Sequence, residues 1–273
     1  MKTSSLKASV SVVIPCFRCA NTIERAVVSA VTQTLVPAEI ILIDDASGDS
    51  TLEKLYELKN KFGDIIQVIS LSTNVGAGSA RNIGWSHATQ PYIAFLDSDD
   101  AWHPQKIEIQ YNYMESNLDV MLTGHTFKLV SDNNACFANC PAKLETAKKI
   151  TWAHLLIKNP FVTPSVMLRA KIKSRFMDGS RYVDDHRLWL EIAGENMVIV
   201  KLYAQLAAIY KPMYGASGLS SNIWLMEKAE LSNYRYFYNK GKLSMPIYVF
   251  LQCFSLIKFV KRILIVHVVR RIK

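Results

Sequence analysis

The sequence has no long apolar run and no low-complexity tract. No uninterrupted apolar segment approaches the roughly 18 residues of a membrane-spanning helix, and no internal repeat runs through the 273 residues. Half of the residues are nevertheless hydrophobic, so the chain can bury a full core. These features exclude a disordered or fibrous protein and predict one large α/β domain, or one domain with an appendage.

Cysteine is scarce and secretory features are absent. The five cysteines are an odd number in a chain too long to need a disulfide framework, and residues 1–9 lack the apolar segment of a signal peptide. Both observations predict a protein on the cytoplasmic side. Zinc is not expected, because Cys16 and Cys19 follow a buried strand directly, the spacing of Cys136 and Cys140 is loose, and the histidines are scattered.

Positive charge is concentrated at the end of the chain. The formal net charge is +9, but the residues from Ser221 onward contribute ten Lys and Arg against two Glu. The first 220 residues are almost neutral, with 22 Lys and Arg against 21 Asp and Glu. Because the basic and aromatic residues form no recognisable nucleic-acid-binding module, no nucleic acid partner is expected.

Short apolar runs alternate with helical patterns in the first hundred residues. Runs without polar alternation are typical of buried parallel strands. Asn21 and Ser50 precede the first two helical segments and are predicted to cap them. The expected fold is α/β, with a doubly wound, mainly parallel sheet flanked by helices and a ligand site beyond the carboxyl ends of the strands. The runs are residues 11–14, 40–43, 65–69 and 92–96.

The second half of the chain has weaker patterns. Strand-like character is found in residues 119–130, 165–168 and 198–210, and helical character in residues 151–157 and 184–193. The shape of a sugar pocket would depend on the least regular stretch, residues 120–164. The identity of a sugar is therefore not predicted.

Two carboxylates alternate at the end of the fourth apolar run. In an extended segment, Asp97 and Asp99 would point to opposite sides, so that one could hold a metal and the other a different part of the ligand. Mg²⁺ or Mn²⁺ bound through one or two carboxylates and the ligand's phosphates is the usual arrangement in nucleotide sites. Such a triplet alone is more often a solvated turn, but its position after a buried strand favours a site.

A second acidic pair and a stretch of small residues precede that triplet. Asp45 could belong to an acidic turn before a helix, or its carboxylate could accept hydrogen bonds from the base or ribose of a nucleotide. Both interpretations stay open. Small residues within 74–84 allow close packing of a helix on the sheet or approach of an anion to backbone N–H groups. Packing explains Gly84 but not Arg81, which could contact a phosphate or hold an acidic strand end.

A third acidic pair, Asp184 and Asp185, stands at a predicted helix start. Carboxylates at this position favour the helix dipole, which is the simpler interpretation. A transferase, however, needs a carboxylate remote from the metal to remove the proton from an acceptor hydroxyl. Asp185 is the candidate for that general base.

Taken together, these motifs resemble those of the family 2 glycosyltransferases, a large inverting group with the GT-A fold. The resemblance covers residues 10–220, and five motifs in this order are far more specific than any one of them. The motifs are residues 12–15, 43–47, 74–84, 95–100 and 184–190.

The resemblance implies a role for each position in binding a nucleotide sugar. Pro15 would lie beside the nucleotide, Asp45 would contact the base, and Arg81 would be near the base or the diphosphate. Asp97 would face the ribose or the sugar, and Ser98 would belong to the same nucleotide-sugar site.

The resemblance also implies the chemistry. Asp99 would bind Mn²⁺ or Mg²⁺ at the diphosphate, and Asp185 would be the general base. Three departures from the family pattern are present: Cys16 replaces a Tyr or another polar residue, Asp184 replaces the usual Glu of a Glu-Asp pair, and Glu191 stands where Arg is common. The first two affect details of donor binding more than catalysis.

The end of the chain predicts a second unit. A catalytic domain over residues 1–220 would be followed by a helical, basic and apolar extension over residues 221–273. Basic residues at helical spacing among apolar ones from residue 245 onward suit a helix on an anionic membrane surface, with packing on the domain or on a partner as the alternative. A lipid-linked acceptor would explain such an extension at the inner face of the plasma membrane.

The expected function is therefore transfer of a hexose or N-acetylhexosamine from a nucleotide sugar, UDP-linked in the first instance, to a glycan or lipid-linked glycan of a surface polysaccharide or lipopolysaccharide. Two other functions stay open. Gly76 and Gly78 follow a strand as in an NAD-dependent oxidoreductase, but Arg81 occupies the place of the third small residue. A non-catalytic sugar-nucleotide binder or membrane assembly protein would not need Asp99 and Asp185.

Overall fold

The computed structural model describes residues 7–130, 142–210 and 222–272, with side chains up to residue 264. The strands are β1 Ala8–Cys16, β2 Pro37–Asp44, β3 Ile66–Ser70, β4 Tyr92–Phe95, β5 Ala101–Trp102, β6 Val120–Leu129, β7 Ala147–Ile150, β8 Met167–Arg169 and β9 Val198–Ile209. The helices are α1 Ile23–Val31, α2 Thr51–Phe62, α3 Ala77–His87, α4 Lys106–Ser116, α5 Trp152–Ile157, α6 Asp184–Gly194, α7 Ile223–Asn239 and α8 Met245–Ile272. Single 3₁₀ turns lie at Gly63–Ile65 and Thr163–Ser165.

The first four strands, β1 to β4, are parallel to one another and lie in the order β3-β2-β1-β4. Along β1, Ile14 packs into the core on one face of the sheet and Val13 into the core on the other. Because helices cover both faces, every position needs an apolar residue, which is why these strands appear as continuous apolar runs. The prediction of an α/β fold with a parallel sheet is confirmed here.

The remaining strands add antiparallel pairs. β8 is antiparallel to both β4 and β6, β6 is parallel to β9, and β5 and β7 are antiparallel to β9. Neither β5, which has two residues, nor β7, in which only Ile150 is buried, was predicted. Helix α4 was not predicted either, whereas α7 and α8 confirm the predicted helical extension at the end of the chain.

Neither predicted helix cap is formed. α1 begins at Ile23, and no side chain caps it. At the start of α2, Asp49 Oδ1 instead of Ser50 accepts the N–H of Thr51 at 3.0 Å. The residues that precede the two helices, Thr22 and Ser50, have ψ of −28° and 10°, and not the extended backbone from which a capping side chain reaches the first turn.

The C-terminal helices pack against the sheet domain through one face. Tyr234 and Phe237 of α7 and Leu251 of α8 are buried in the same core as Trp189 of α6. Between the two helices, Arg262 Nη2 lies 2.6 Å from Glu227 Oε2. In the described part of the chain, no helix combines the length and apolarity that crossing a membrane requires.

Candidate active site

The ends of three neighbouring strands create one edge of the site. Pro15 is buried at the end of β1 and lies opposite Ile43 of β2. Asp45 N donates to Cys16 O at 2.8 Å, and Leu96 N donates to Val13 O at 3.1 Å. The acidic segments that follow β2 and β4 therefore emerge on either side of the end of β1, as expected for parallel strands.

Asp45 is bonded to the loop that precedes α3. Its carboxylate accepts hydrogen bonds from Val75 N at 2.7 Å, Gly76 N at 2.9 Å and the Asn74 side chain at 3.0 Å. A carboxylate offers about four acceptor positions, so this network leaves room for one further donor. The acidic side chain thus has a structural role in the loop, and contact with a nucleotide base stays a prediction.

The segment that follows β4 is a turn, and the expectation of an extended segment was wrong. Asp100 N donates to Asp97 O at 3.1 Å, because the chain must reverse here to enter β5. The Asp97 carboxylate bonds to Arg81 of α3, and the backbone carbonyl of Asp99 accepts a hydrogen bond from Arg25 of α1.

Two thiols lie beside this turn. Cys16 and Cys19 are buried free cysteines, and both Cys16 and Ser98 are hydrogen-bonding neighbours of the Cys19 thiol. The hydrogen bond from Cys16 lowers the pKa of Cys19, whereas burial raises the pKa of Cys16 well above its usual value. Cys136 and Cys140 lie outside the described residues.

Arg81 is the cation at the centre of the site. Its Nη2 lies 2.6 Å from Asp97 Oδ1, and only 8% of its side chain is exposed. Burial opposes the charge, but the carboxylates of Asp97, Asp184 and Asp185 together raise the pKa of Arg81. Of the roles that the sequence left open for Arg81, holding an acidic strand end is the one seen in this geometry.

Asp184 packs directly on the first turn of α3. A Cβ at Gly78 would lie 2.1 Å from Asp184 Oδ2, so the carboxylate in this position packs directly against the glycine. Burial raises the pKa of Asp184 to about 6, and Asp185 adds to the increase, while Arg81 opposes it. At Gly84, by contrast, the side chains of β1 and β2 fill the space of a Cβ, which agrees with close packing of α3 on the sheet.

Asp185 accepts hydrogen bonds from two directions. The Thr163 hydroxyl donates to its Oδ2 at 3.3 Å, and His186 N donates to its Oδ1 at 2.6 Å. Burial raises the pKa of Asp185, and the neighbouring His186 and Arg81 oppose the increase. The sequence did not reveal Thr163, because no spacing rule connects it with a helix that begins 21 residues later.

The donor atoms at the strand ends suit a hard divalent cation. Carboxylate oxygens are the ligands that Mg²⁺ and Mn²⁺ prefer, and the partly exposed Asp99 provides such oxygens after β4. Within the described ranges, no three His, Cys, Asp or Glu side chains are grouped to hold a metal. A cation at Asp99 would therefore need oxygens from a bound diphosphate and from water, which is the usual arrangement for Mg²⁺.

A groove of about 760 Å³ adjoins the site on the outer side of α3. It is lined by Asn74, Asn82 and Arg181 among others, but by none of the clustered carboxylates. The charged cluster, and not this groove, therefore defines the candidate active site.

The comparisons with known proteins agree with this geometry. The family model "Glycosyl transferase family 2" matches residues 11–172. The chain is 28% identical over 213 residues to the Escherichia coli UDP-Glc:alpha-D-GlcNAc-diphosphoundecaprenol beta-1,3-glucosyltransferase WfgD, covering 78% of this chain and 80% of that protein. It is 39% identical over 109 residues to WfaP of Escherichia coli, which has the same activity in its name, covering 39% of this chain and 41% of that protein.

A solved structure has the same fold. The crystal structure of Staphylococcus aureus TarS 1-349 in complex with UDP-GlcNAc superposes with a TM-score of 0.67, covering 93% of this chain and 72% of that chain, at 18% sequence identity. The matched family model spans the parallel sheet, the Asp97–Asp99 turn and β8. The chain belongs to the family 2 glycosyltransferases, and its fold is the GT-A fold of that family.

Proposed function

We propose that this glycosyltransferase moves a hexose or an N-acetylhexosamine from a UDP-sugar to a hydroxyl of a lipid-linked glycan in surface polysaccharide or lipopolysaccharide biosynthesis. The observation that carries the proposal is the convergence of Asp97, Asp184 and Asp185 on Arg81, where the strand ends meet the start of α6. The printed names of WfgD and WfaP, with a UDP-linked donor and a diphosphoundecaprenol acceptor, support the substrate class.

In this proposal, the edge beside Pro15 and Asp45 receives the nucleotide, and Asp97 and Ser98 face its ribose or sugar. Arg81 orients Asp97 through their 2.6 Å contact. A diphosphate placed here would lie near the Asp97–Asp99 turn. Asp99 would hold Mn²⁺ or Mg²⁺, and the metal would neutralise the charge that develops on the departing diphosphate.

Asp185 acts as the general base in this scheme. It takes the proton of the acceptor hydroxyl, the hydroxyl oxygen attacks the anomeric carbon, and the bond from that carbon to UDP breaks. The nucleophile enters opposite to the leaving group, so the anomeric configuration inverts. Thr163 and the His186 N–H fix the carboxylate for this proton transfer.

A thermal-shift experiment tests the donor site. Wild type, Asp99→Ala and the exposed control Asp64→Ala are melted with UDP, GDP, ADP or NAD⁺, each with and without Mn²⁺. We expect UDP with Mn²⁺ to raise the Tm by about 5–10 °C at a hundredfold excess over Kd, and Asp99→Ala to abolish the shift. Stabilisation by NAD⁺ alone, or by no nucleotide, would contradict the proposal.

We also propose that the enzyme is peripheral at the inner face of the plasma membrane and binds it through α8. The face of α8 opposite the packed one exposes Phe250, Ile257, Val260 and Leu264, and Lys261 stands among them. An apolar face with adjacent basic residues suits a bilayer with anionic lipids. The free thiols at Cys16, Cys19 and Cys253 suit a reducing compartment.

Vesicle sedimentation tests the membrane face. Full-length protein is mixed with phosphatidylcholine vesicles that contain either no phosphatidylglycerol or 30% of it, as wild type, Ile257→Ser/Val260→Ser and the control Leu118→Ser, which lies at an exposed site away from α8. We expect wild type and the control to bind vesicles in a way that depends on phosphatidylglycerol, and only the double variant to lose this binding. Equal sedimentation of wild type and the double variant would exclude α8 as the contact.

A further inference from the structure

A strained residue immediately precedes the acidic pair of α6. Val183 has φ of +53° and ψ of 24°, the left-handed conformation. For a β-branched residue this conformation is a rare outlier, and it persists only where surrounding contacts fix it. Here the Val183 carbonyl accepts a hydrogen bond from Asn233 Nδ2 of α7 at 3.1 Å, and Asn233 is buried.

The residue that follows the acidic pair is also bonded to α7. His186 is buried, with Nε2 at 2.7 Å from Leu155 O and Nδ1 at 3.3 Å from Glu230 Oε2. A carbonyl and a carboxylate both accept hydrogen bonds, so both ring nitrogens donate and the ring is an imidazolium. Glu230 in turn accepts from the Tyr234 hydroxyl at 2.8 Å.

These two contacts flank Asp184 and Asp185 on both sides along the chain. Glu230 and Asn233 are three residues apart on α7 and so lie on the same helix face. The ion pair of Glu230 with His186 is almost fully shielded from solvent, where a broken hydrogen bond to a charged group is costly. α7 therefore fixes the backbone that carries both carboxylates.

We propose that Asn233 and Glu230 are positioning residues that place Asp185 for proton transfer. This inference rests on the proposed function, in which Asp185 is the general base. It assigns a part in catalysis to α7, a helix that lies outside the matched family region. Loss of either contact lets the Val183–His186 turn relax, which moves Asp185 but leaves the Asp97–Asp99 turn unchanged.

Separation of turnover from nucleotide binding tests the inference. In full-length protein, Asn233→Ala and Glu230→Gln are compared with the controls Asn239→Ala, at the exposed end of the same helix, and Glu53→Gln, at an exposed site on α2. The readouts are release of UDP from UDP-glucose or UDP-N-acetylglucosamine with a synthetic GlcNAc-diphosphate lipid, calorimetric Kd for UDP with Mn²⁺, and Tm.

We expect Asn233→Ala and Glu230→Gln to lower kcat at least tenfold while the Kd for UDP stays within twofold of wild type, and both controls to match wild type. Glu230→Asp, which keeps the charge, should recover part of the lost kcat. If kcat is unchanged in folded Asn233→Ala and Glu230→Gln, or if kcat and UDP binding fall together with the folded fraction, the inference is overturned.

Asp185→Asn separates this outcome from a failure of the proposed function. If Asp185→Asn keeps its turnover, Asp185 is not the general base, whatever the kinetics of the α7 variants are. If turnover is lost in Asp185→Asn but kept in both α7 variants, only the positioning role of Asn233 and Glu230 is wrong.

Discussion

Arg81 Nη2 lies 2.6 Å from Asp97 Oδ1, with 8% of the Arg81 side chain and 31% of the Asp97 side chain exposed. This ion pair connects α3 to the end of β4 and places a cation beside the acidic pair of α6. Four charged side chains from three elements of the fold are thereby held in one cluster. Several properties of the enzyme follow from this arrangement.

Loss of the Arg81 cation should destabilise the protein and weaken donor binding together. Arg81→Met leaves three carboxylates without their shared partner, and partial exposure of Asp97 moderates the cost to about 1–3 kcal/mol. Urea unfolding and UDP titration of Arg81→Met measure the two effects. Arg235→Met, at an exposed position of α7, is the control and should change neither, and an equal loss in the control would assign the effect to general charge removal.

The pH dependence of turnover should report Asp185. Burial raises its pKa, and a base acts only when ionised, so kcat/KM should increase as the pH rises through that raised pKa. The His186 imidazolium opposes the increase. His186→Gln removes this cation and should therefore move the acidic limb of the profile to higher pH by about 0.5–1 unit.

The exposed His154 provides the control for the pH experiment. His154→Gln should keep the wild-type profile. An acidic limb that stays in place in His186→Gln would show that the limb belongs to another group.

Gly78→Ala should impair catalysis by a steric effect. The added methyl group would meet Asp184 Oδ2 at 2.1 Å, so the Asp184 carboxylate must turn away from the first turn of α3. Asp184 adjoins the proposed base Asp185, and a displacement of about 1 Å near the reacting atoms can cost a hundredfold in rate. In the control Gly194→Ala, the new Cβ would approach only Trp152 Nε1, at 3.3 Å; similar kinetics in the two variants would contradict the steric explanation.

Lys106→Met should stabilise the protein. Lys106 is fully buried, its Nζ lies 3.9 Å from the centre of the Trp102 ring, and that atom has no hydrogen-bond partner among the described residues. Burial lowers the pKa of Lys106 well below its usual value. Replacing an unpaired polar group by an apolar one of similar size should gain about 0.5–2 kcal/mol after the ring contact is lost.

Thermal unfolding measures this gain as an increase in Tm of about 2–6 °C. Lys148→Met, at an exposed site on β7, should leave the Tm within about 1 °C. A decrease in the Tm of Lys106→Met would mean that Lys106 contributes a stabilising interaction.

The parallel half of the fold could be predicted because its strands are buried on both faces. Ile14 and Val13 must both be apolar, since they face opposite cores, and such runs are visible in a sequence. β7 could not be predicted, because three of its four residues are exposed and carry no apolar pattern. The strand β5 could not be predicted for a different reason: its two residues are both buried, but two residues are too few to form a pattern.

The sequence indicates that Asp45 and Asp97 lie close together, because each follows a strand whose end shares one edge of the sheet, whereas Asp184 and Asp185 were recognised as a pair at a helix start. The contacts that orient them could not be predicted. Thr163 reaches Asp185 across 22 residues and Asn233 reaches Val183 across 50, and no local pattern encodes a contact between distant elements. The turn at Asp97–Asp100 was missed because an acidic segment fits an extended strand end and a turn equally well.

The kinetics of Asp185→Asn test whether Asp185 is the general base. Asparagine keeps the size of the side chain and its hydrogen-bonding oxygen but cannot accept the proton. UDP release from UDP-glucose or UDP-N-acetylglucosamine with a GlcNAc-diphosphate lipid should fall by about 10²–10⁴-fold, while the Kd for UDP with Mn²⁺ stays within about twofold of wild type. Turnover of Asp185→Asn within about tenfold of wild type would mean that Asp185 is not the general base.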